Sequence, residues 1–209
     1  MTVPEYPVFY ERHLPHFQPE GATIFVTFRL AGSLPIKVLQ ILDEEKRLMS
    51  SRIEKIADPG ARREAITKGN KLLFGRWDSA LGSSKTGNNW LSDTKVAEIV
   101  WEAIHGQNGV NYVLDACCIM PNHVHMVITP LKIGEGYKPL SEIMQSLKGK
   151  TSRQANIILG RNGQFWQHES YDHVVRDDNE LGRIVNYVVD NPSRAGLPAV
   201  LVYSKVEAT

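Results

Sequence analysis

The rhythm of hydrophobic and polar positions changes several times along the chain. Ala22–Leu30 (ATIFVTFRL) is dense in β-branched and aromatic residues and stops short of Gly32, which predicts a strand. From Ile36 to about Ile56 the period is helical, with Val38, Leu39, Ile41, Leu42, Ile53 and Ile56 as the apolar stripe. Asp58-Pro59-Gly60 breaks it, and a second helical piece runs from Ala61 to about Leu73. Trp77–Asn89 reads as a polar linker. Its Gly82–Gly87 run faintly echoes a phosphate-binding loop, but no strand with the right Gly-Lys-Ser/Thr ending precedes it. Ser92 or Asp93 caps a helix through about His105, with Val96, Ile99, Val100 and Ile104 on its apolar side.

Two strands follow, Asn111–Ile119 and His123–Thr129, joined by a turn at Pro121-Asn122 to make a hairpin. A helix is expected from Pro139 to about Leu159, with Ser141 as cap and Ile143, Met144, Leu147, Ala155 and Ile158 as stripe. A short strand fits Asp172–Val175. Asp177 and Glu180 have capping-box spacing and open a last helix striped by Leu181, Ile184, Val185 and Val188. Pro192 predicts that this helix ends at Asn191. The tail up to Tyr203 has room for one more short strand. Residues 1–21, with Pro4, Pro7, Pro15 and Pro19, read as an extended arm held by Tyr6, Phe9, Tyr10 and Phe17.

With the helical pair at about 36–75 set aside as an insertion, the order is βαββαβ plus a terminal helix. That is the ferredoxin-like plan of the α+β class: an antiparallel sheet with helices on one face. The expectation is a single domain over residues 1–209.

Composition narrows the function classes. A 209-residue chain that is 42% hydrophobic buries a sizeable core, and a net charge of +1 leaves any polyanion to a local patch. The densest such patch is Lys148, Lys150 and Arg153 on the expected Pro139–Leu159 helix, either a solvated face or one that tracks phosphates. No apolar run reaches the roughly 18 residues of a membrane span, and the N-terminal residues lack the apolar core of a signal peptide; a cytoplasmic protein is expected. The two cysteines, Cys117 and Cys118, are neighbours on a strand, face opposite ways and read as buried small hydrophobes.

The chemistry centres on Met120–Ile128 (MPNHVHMVI). Side chains alternate along a strand, so His123 and His125 share a face about 6.6 Å apart, near enough to turn onto one ion. The same pattern also fits two hydrogen-bonded histidines of a sheet. On the last helix, Tyr187 and Asn191 are four apart and share a face; Tyr187 alone would pass for a core tyrosine.

The run MPNHVHMVI, the run FWQHESYDHVVRD (residues 165–177) and the run NYVVDNPSRAGL (residues 186–197) together resemble the single-tyrosine HUH transposases, above all their REP-associated tyrosine transposase branch. HLPHFQPEGATIFVTFRLAGSLP (residues 13–35) is similar to the same branch, and residues 36–75 match it least. The resemblance implies an enzyme that cuts single-stranded DNA with a tyrosine, holds a 5′-phosphotyrosine link and rejoins strands by reversal. It implies Tyr187, on the C-terminal helix, as nucleophile, and His123, His125 and Asn191 as ligands of a divalent ion, Mg²⁺ or Mn²⁺. Tyr171 is a rival nucleophile. Lys148, Lys150 and Arg153 become candidates for DNA backbone contacts, with Arg161, Arg176 and Arg183 behind them. Phe165, Trp166 and His168 could stack on bases or pack the core. The implied partner is single-stranded or hairpin (REP-like) DNA, met by a monomer or a homodimer that associates with the nucleoid when bound. Two other functions stay open: a hairpin-DNA binder or repressor with little catalysis, and a metal-dependent phosphohydrolase.

Overall fold

The computed structural model describes residues 9–11, 15–17, 19–84, 86–197 and 201–205, the first two stretches as backbone only. The expectation that Tyr6, Phe9, Tyr10 and Phe17 pack an N-terminal arm lies outside the described side chains. The backbone there forms a small antiparallel pair, β1 (Phe9–Glu11) with β2 (Pro15–Phe17).

The chain divides into two compact units, one of residues 1–31 with 89–209, the other Gly32–Asn88. The first unit is built on β3 (Ile24–Leu30). The second holds α1 (Ile36–Glu54) and α2 (Pro59–Ser83). After a 3-10 turn at Trp90–Ser92 the first unit resumes with α3 (Thr94–His105), β4 (Tyr112–Ile119) and β5 (His123–Pro130). A two-residue pair, β6 (Lys132–Ile133) and β7 (Gly136–Tyr137), leads into α4 (Leu140–Ile158). Then come β8 (Trp166–Val174), α5 (Asp178–Arg194) and β9 (Val202–Ser204).

Five strands make one sheet in the order β8-β3-β5-β4-β9, with every neighbouring pair antiparallel. Strands β3 and β4 therefore run parallel with β5 between them, and β5 and β8 run parallel with β3 between them. This is the split-βαβ arrangement of a ferredoxin-like α+β sheet, extended at one edge by β9.

Alternation sorts the side chains. Val26 and Phe28 of β3, Val124 and Met126 of β5, and Cys117 of β4 join one core with Val96, Val100 and Ile104 of α3 and Ile143 and Leu147 of α4. A bulge at Asp115 shifts the phase of β4, so that Leu114 and Cys117 both face this core. Burial pushes the Cys117 thiol up to about 12, which fits a side chain that packs and does not react. The opposite face carries Phe25, Thr27, His123 and His125, and α5 lies on it: Val188 is fully buried, and Asn191 reaches His125.

Several boundaries differ from those the sequence predicts. The supposed linker at Trp77–Asn89 is helical as far as Ser83, because Trp77, Ala80 and Leu81 pack with Leu34 and Leu42 and offset Gly75 and Gly82 inside the helix. Gly87 has φ +105, and a Cβ there would lie 2.6 Å from the Ser33 carbonyl oxygen. That close approach lets Asn88 N–H donate to Gly32 O at 3.0 Å, so the two ends of the helical unit meet. Ser141 is inside α4 and caps nothing; Pro139 precedes the helix in extended geometry. Pro192 does not end α5, which runs on to Arg194. A proline in the last turn forfeits a single backbone donor, and Ala195 N–H closes the turn onto Asn191 O at 3.1 Å.

The start of α5 is pinned as the spacing predicts. Asp177 accepts from Glu180 N–H at 2.8 Å, and Glu180 accepts from Arg176 N–H at 3.0 Å and sits 3.2 Å from His173 of β8. Burial opposes ionisation of Glu180, but the Arg176 N–H and the neighbouring His173 outweigh it and hold the carboxyl below its ordinary value. Its stabilising effect is therefore complete above the unfolded carboxyl pKa of about 4.3 and is lost as pH falls through the lower folded value. Asp177→Ala is expected to cost about 1 kcal/mol and lower the melting temperature by about 2–4 °C. Thermal denaturation of Glu180→Gln against the parent should show a gap at about pH 7 that narrows as pH falls below about 4.3.

Candidate active site

Six residues from two strands, the turn that opens one of them, and one helix build the site. In β5, His123 is 1% exposed and His125 fully buried, although imidazoles normally keep some water. Their burial is supported by fixed partners. Asn122, in the turn that opens β5, accepts from His123 Nδ1 through its Oδ1 at 2.6 Å. Thr27, paired directly opposite His125 on β3, has its Oγ1 2.7 Å from His125 Nδ1. Asn191 Nδ2 donates to His125 Nε2 at 3.3 Å, which makes that nitrogen an acceptor and leaves the His125 proton on Nδ1, facing Thr27.

Both rings thus carry the proton on Nδ1 and turn an Nε2 lone pair toward the same point, 3.0 Å apart. Two nitrogens bound at right angles to one ion at about 2.1 Å lie about 3.0 Å apart, so the pair fits cis ligation of a divalent metal. Asn191 is 8% exposed and ends beside the same point.

Tyr187 is half-buried one turn before Asn191. Its ring centroid lies 5.6 Å from that of His125 and 6.1 Å from that of Phe25. The guanidinium of Arg194 stands 5.8 Å from the Tyr187 ring. Tyr171 is not at a strand end. It sits within β8, because the strand begins at Trp166 and spans nine residues. It pairs with Thr27, which pairs with His125, so all three face the same side two strands apart. Burial first, then the charges of Asp172 and Glu180, push the Tyr171 phenol up against the pull of Arg176; it ionises less readily than an ordinary tyrosine.

The basic cluster on α4 divides. Lys148 is half-buried and donates to Gln167 O and His168 O at 3.0 Å each, bracing α4 against β8, while Lys150 and Arg153 are exposed. Phe165 and Trp166 belong to the core; Trp166 Nε1 donates to Thr151 Oγ1 at 2.8 Å, and Thr151 in turn donates to Leu147 O. His168 is exposed. Arg161 stacks 3.8 Å over Trp90 and donates to Asn156 at 2.6 Å. Arg183 is exposed, and Arg176 lies 4.0 Å from Glu180.

Sequence reasoning missed Thr27 and Asn122. Asn122 carried a signal, since it adjoins His123 in the turn; Thr27 carried none until the β3–β5 register was known. Partners that fix ring orientation tune ligand strength, so Thr27→Val is expected to weaken divalent-ion affinity by about 10–100-fold with the fold intact. Calorimetric titration with Mn²⁺, beside a circular dichroism spectrum, checks this.

With that geometry in place, the comparisons with known proteins define the class. The family model described as "Transposase IS200 like" matches residues 84–191, and the chain belongs to that family. The match takes in His123, His125, Tyr187 and Asn191 and leaves out the whole of α1 and α2. More particularly, the chain is similar to a Haemophilus influenzae protein named "Putative REP-associated tyrosine transposase", 26% identical over 95 residues, 41% of this chain and 52% of that one. The chain thus spans about half the length of the curated relative it matches. A solved structure described as a REP-associated tyrosine transposase bound to a REP hairpin aligns with 90% of this chain and 74% of its own, at TM-score 0.48 and 16% identity. Among the described residues, no helix is long and apolar enough to cross a membrane.

Proposed function

We propose that this chain nicks and rejoins single-stranded DNA, that hairpin DNA of the REP type is its substrate, and that Tyr187 is its nucleophile. The observation that carries the reading is the meeting of His123, His125 and Asn191 at one buried point with the Tyr187 ring beside it. The helix-borne phenol and the strand-borne imidazoles are far apart in the sequence and adjacent in space.

In the proposed reaction the Tyr187 oxygen attacks the scissile phosphorus. A tyrosyl O–P bond forms, the P–O3′ bond breaks, the phenol gives up its proton and the departing 3′ oxygen takes one up. The strand's 5′ phosphate stays on Tyr187, and a 3′-hydroxyl attacking it reverses the step, so the energy of the bond is conserved without a nucleotide cofactor. His123 Nε2 and His125 Nε2, with the Asn191 amide turned over so that Oδ1 replaces Nδ2 toward them, would hold a divalent ion, Mg²⁺ or Mn²⁺, which when bound polarises the phosphate. Thr27 and Asn122 hold the imidazole protons away from that point. Lys150 and Arg153, with the charge of Lys148 behind them, track the DNA backbone. The reading treats the sheet unit as one HUH domain into which the helices of residues 36–75 are inserted.

The test is a labelled single-stranded hairpin incubated with the chain and Mn²⁺, then denatured. Divalent-dependent cleavage with a covalent protein–DNA band supports the proposal. Tight hairpin binding without cleavage would point to a repressor, and turnover of free nucleotides without a covalent band to a phosphohydrolase.

A further inference from the structure

Arg194 follows Tyr187 by seven residues and Asn191 by three, so the three lie along one stripe of α5. Seven residues of helix rise about 10.5 Å, and long helical side chains lean back toward the N-terminus, so the arginine reaches along the stripe to the tyrosine. Its guanidinium stands 5.8 Å from the Tyr187 ring. Arg194 is exposed, and among the described residues its guanidinium has no carboxylate or carbonyl partner. The backbone beneath it is fixed. Gly196, at φ +68, takes the left-handed geometry that ends a helix; its N–H donates to Ser193 O at 3.0 Å, and Leu197 N–H donates to Pro192 O at 2.9 Å. Arg194 is held in the last turn between those bonds, just beyond the residues that the family model matches.

A guanidinium in that place suits one kind of ligand. It keeps its charge at any working pH and presents parallel N–H donors in one plane, which match the two non-bridging oxygens of a phosphodiester. Two structural roles compete for it. A cation in the last turn offsets the helix dipole, and a cation near an aromatic ring is drawn to its face, although 5.8 Å is close to the outer limit of that attraction at about 6 Å. The first role is open to any residue of the last turn, and neither accounts for a guanidinium on the stripe that also carries Tyr187 and Asn191. We propose that Arg194 is a catalytic residue whose guanidinium binds the non-bridging oxygens of the phosphate that Tyr187 attacks. The inference rests on the proposed function and adds a residue to it. As the tyrosyl O–P bond forms and the P–O3′ bond breaks, negative charge grows on those oxygens, and a donor pair placed there beforehand lowers the barrier. Arg194 neither gives nor takes a proton; the phenol still loses one and the departing 3′ oxygen still gains one.

The test uses the full chain, Mn²⁺ and two labelled single-stranded hairpins. One has an ordinary scissile phosphate; the other has a methylphosphonate there, separated into its stereoisomers, so that a neutral methyl group replaces one charged oxygen. The rate of covalent adduct formation is measured in a single turnover. On the phosphate, Arg194→Ala is expected to slow the adduct at least about 100-fold, with hairpin affinity within a few-fold of the parent. Arg194→Lys, which keeps the charge without the planar fork, should be slowed by a smaller factor. On at least one methylphosphonate isomer the Arg194→Ala chain should stay within about threefold of the parent, because the charge that Arg194 neutralises is gone. Circular dichroism and a melting curve confirm that each variant is folded. An Arg194→Ala chain that forms the adduct at near the parent rate on the phosphate overturns the inference and leaves the proposed function standing. So does one slowed by the same factor on the phosphate and on both isomers, which marks a support for the Tyr187 ring. A parent that forms no adduct on the phosphate overturns the proposed function, and this inference with it.

Discussion

Tyr187→Phe is expected to abolish the covalent protein–DNA species and to lower strand cleavage by at least about 10⁴-fold, while hairpin binding stays within a few-fold of the parent. The change removes one oxygen from a half-buried ring that keeps its contacts with His125 and Phe25. Tyr171→Phe is the matched comparison. That residue shares the sheet face with His125, yet it is set on β8, two strands away, with its phenol held harder to ionise by burial. It should cleave at near the parent rate. A Tyr171→Phe chain that loses the adduct beside a Tyr187→Phe chain that keeps it would exchange the roles.

The second large effect belongs to the histidine pair. His125→Ala is expected to remove divalent-ion binding and to reduce cleavage on the order of 10²–10⁴-fold, the several kcal/mol that a bound ion contributes at a phosphate. His123→Ala should do nearly the same, and the double variant little more, because the two nitrogens 3.0 Å apart act as one unit. The readout that separates ligation from scaffolding is a metal titration run beside a melting curve. If His125→Ala binds Mn²⁺ as tightly as the parent and is merely less stable, the pair is a structural hydrogen bond.

How much of this could be read beforehand follows from which signals are local. The strand period alone put His123 and His125 on one face, and the helix period put Tyr187 and Asn191 on another, since both rules act over a few residues. The ferredoxin-like plan followed from the sequence of elements once the helical stretch was set aside. What escaped depended on tertiary contacts. Packing of Trp77 and Leu81 kept α2 helical past two glycines, and the closing bond to Asn191 O carried α5 past Pro192. The support of His125 by Thr27 rests on a strand register spanning 98 residues of chain. The commitment of Lys148 to the β8 backbone could not be told from a free surface lysine by composition.

The most direct test of the central claim is to trap the adduct and find where the DNA is attached. After incubation with a single-stranded hairpin and Mn²⁺, nuclease trimming and peptide mass spectrometry should locate a nucleotide on the peptide that contains Tyr187, linked through a 5′ phosphate. A nucleotide found on Tyr171, or a cleaved strand with no nucleotide on any tyrosine, would contradict the account.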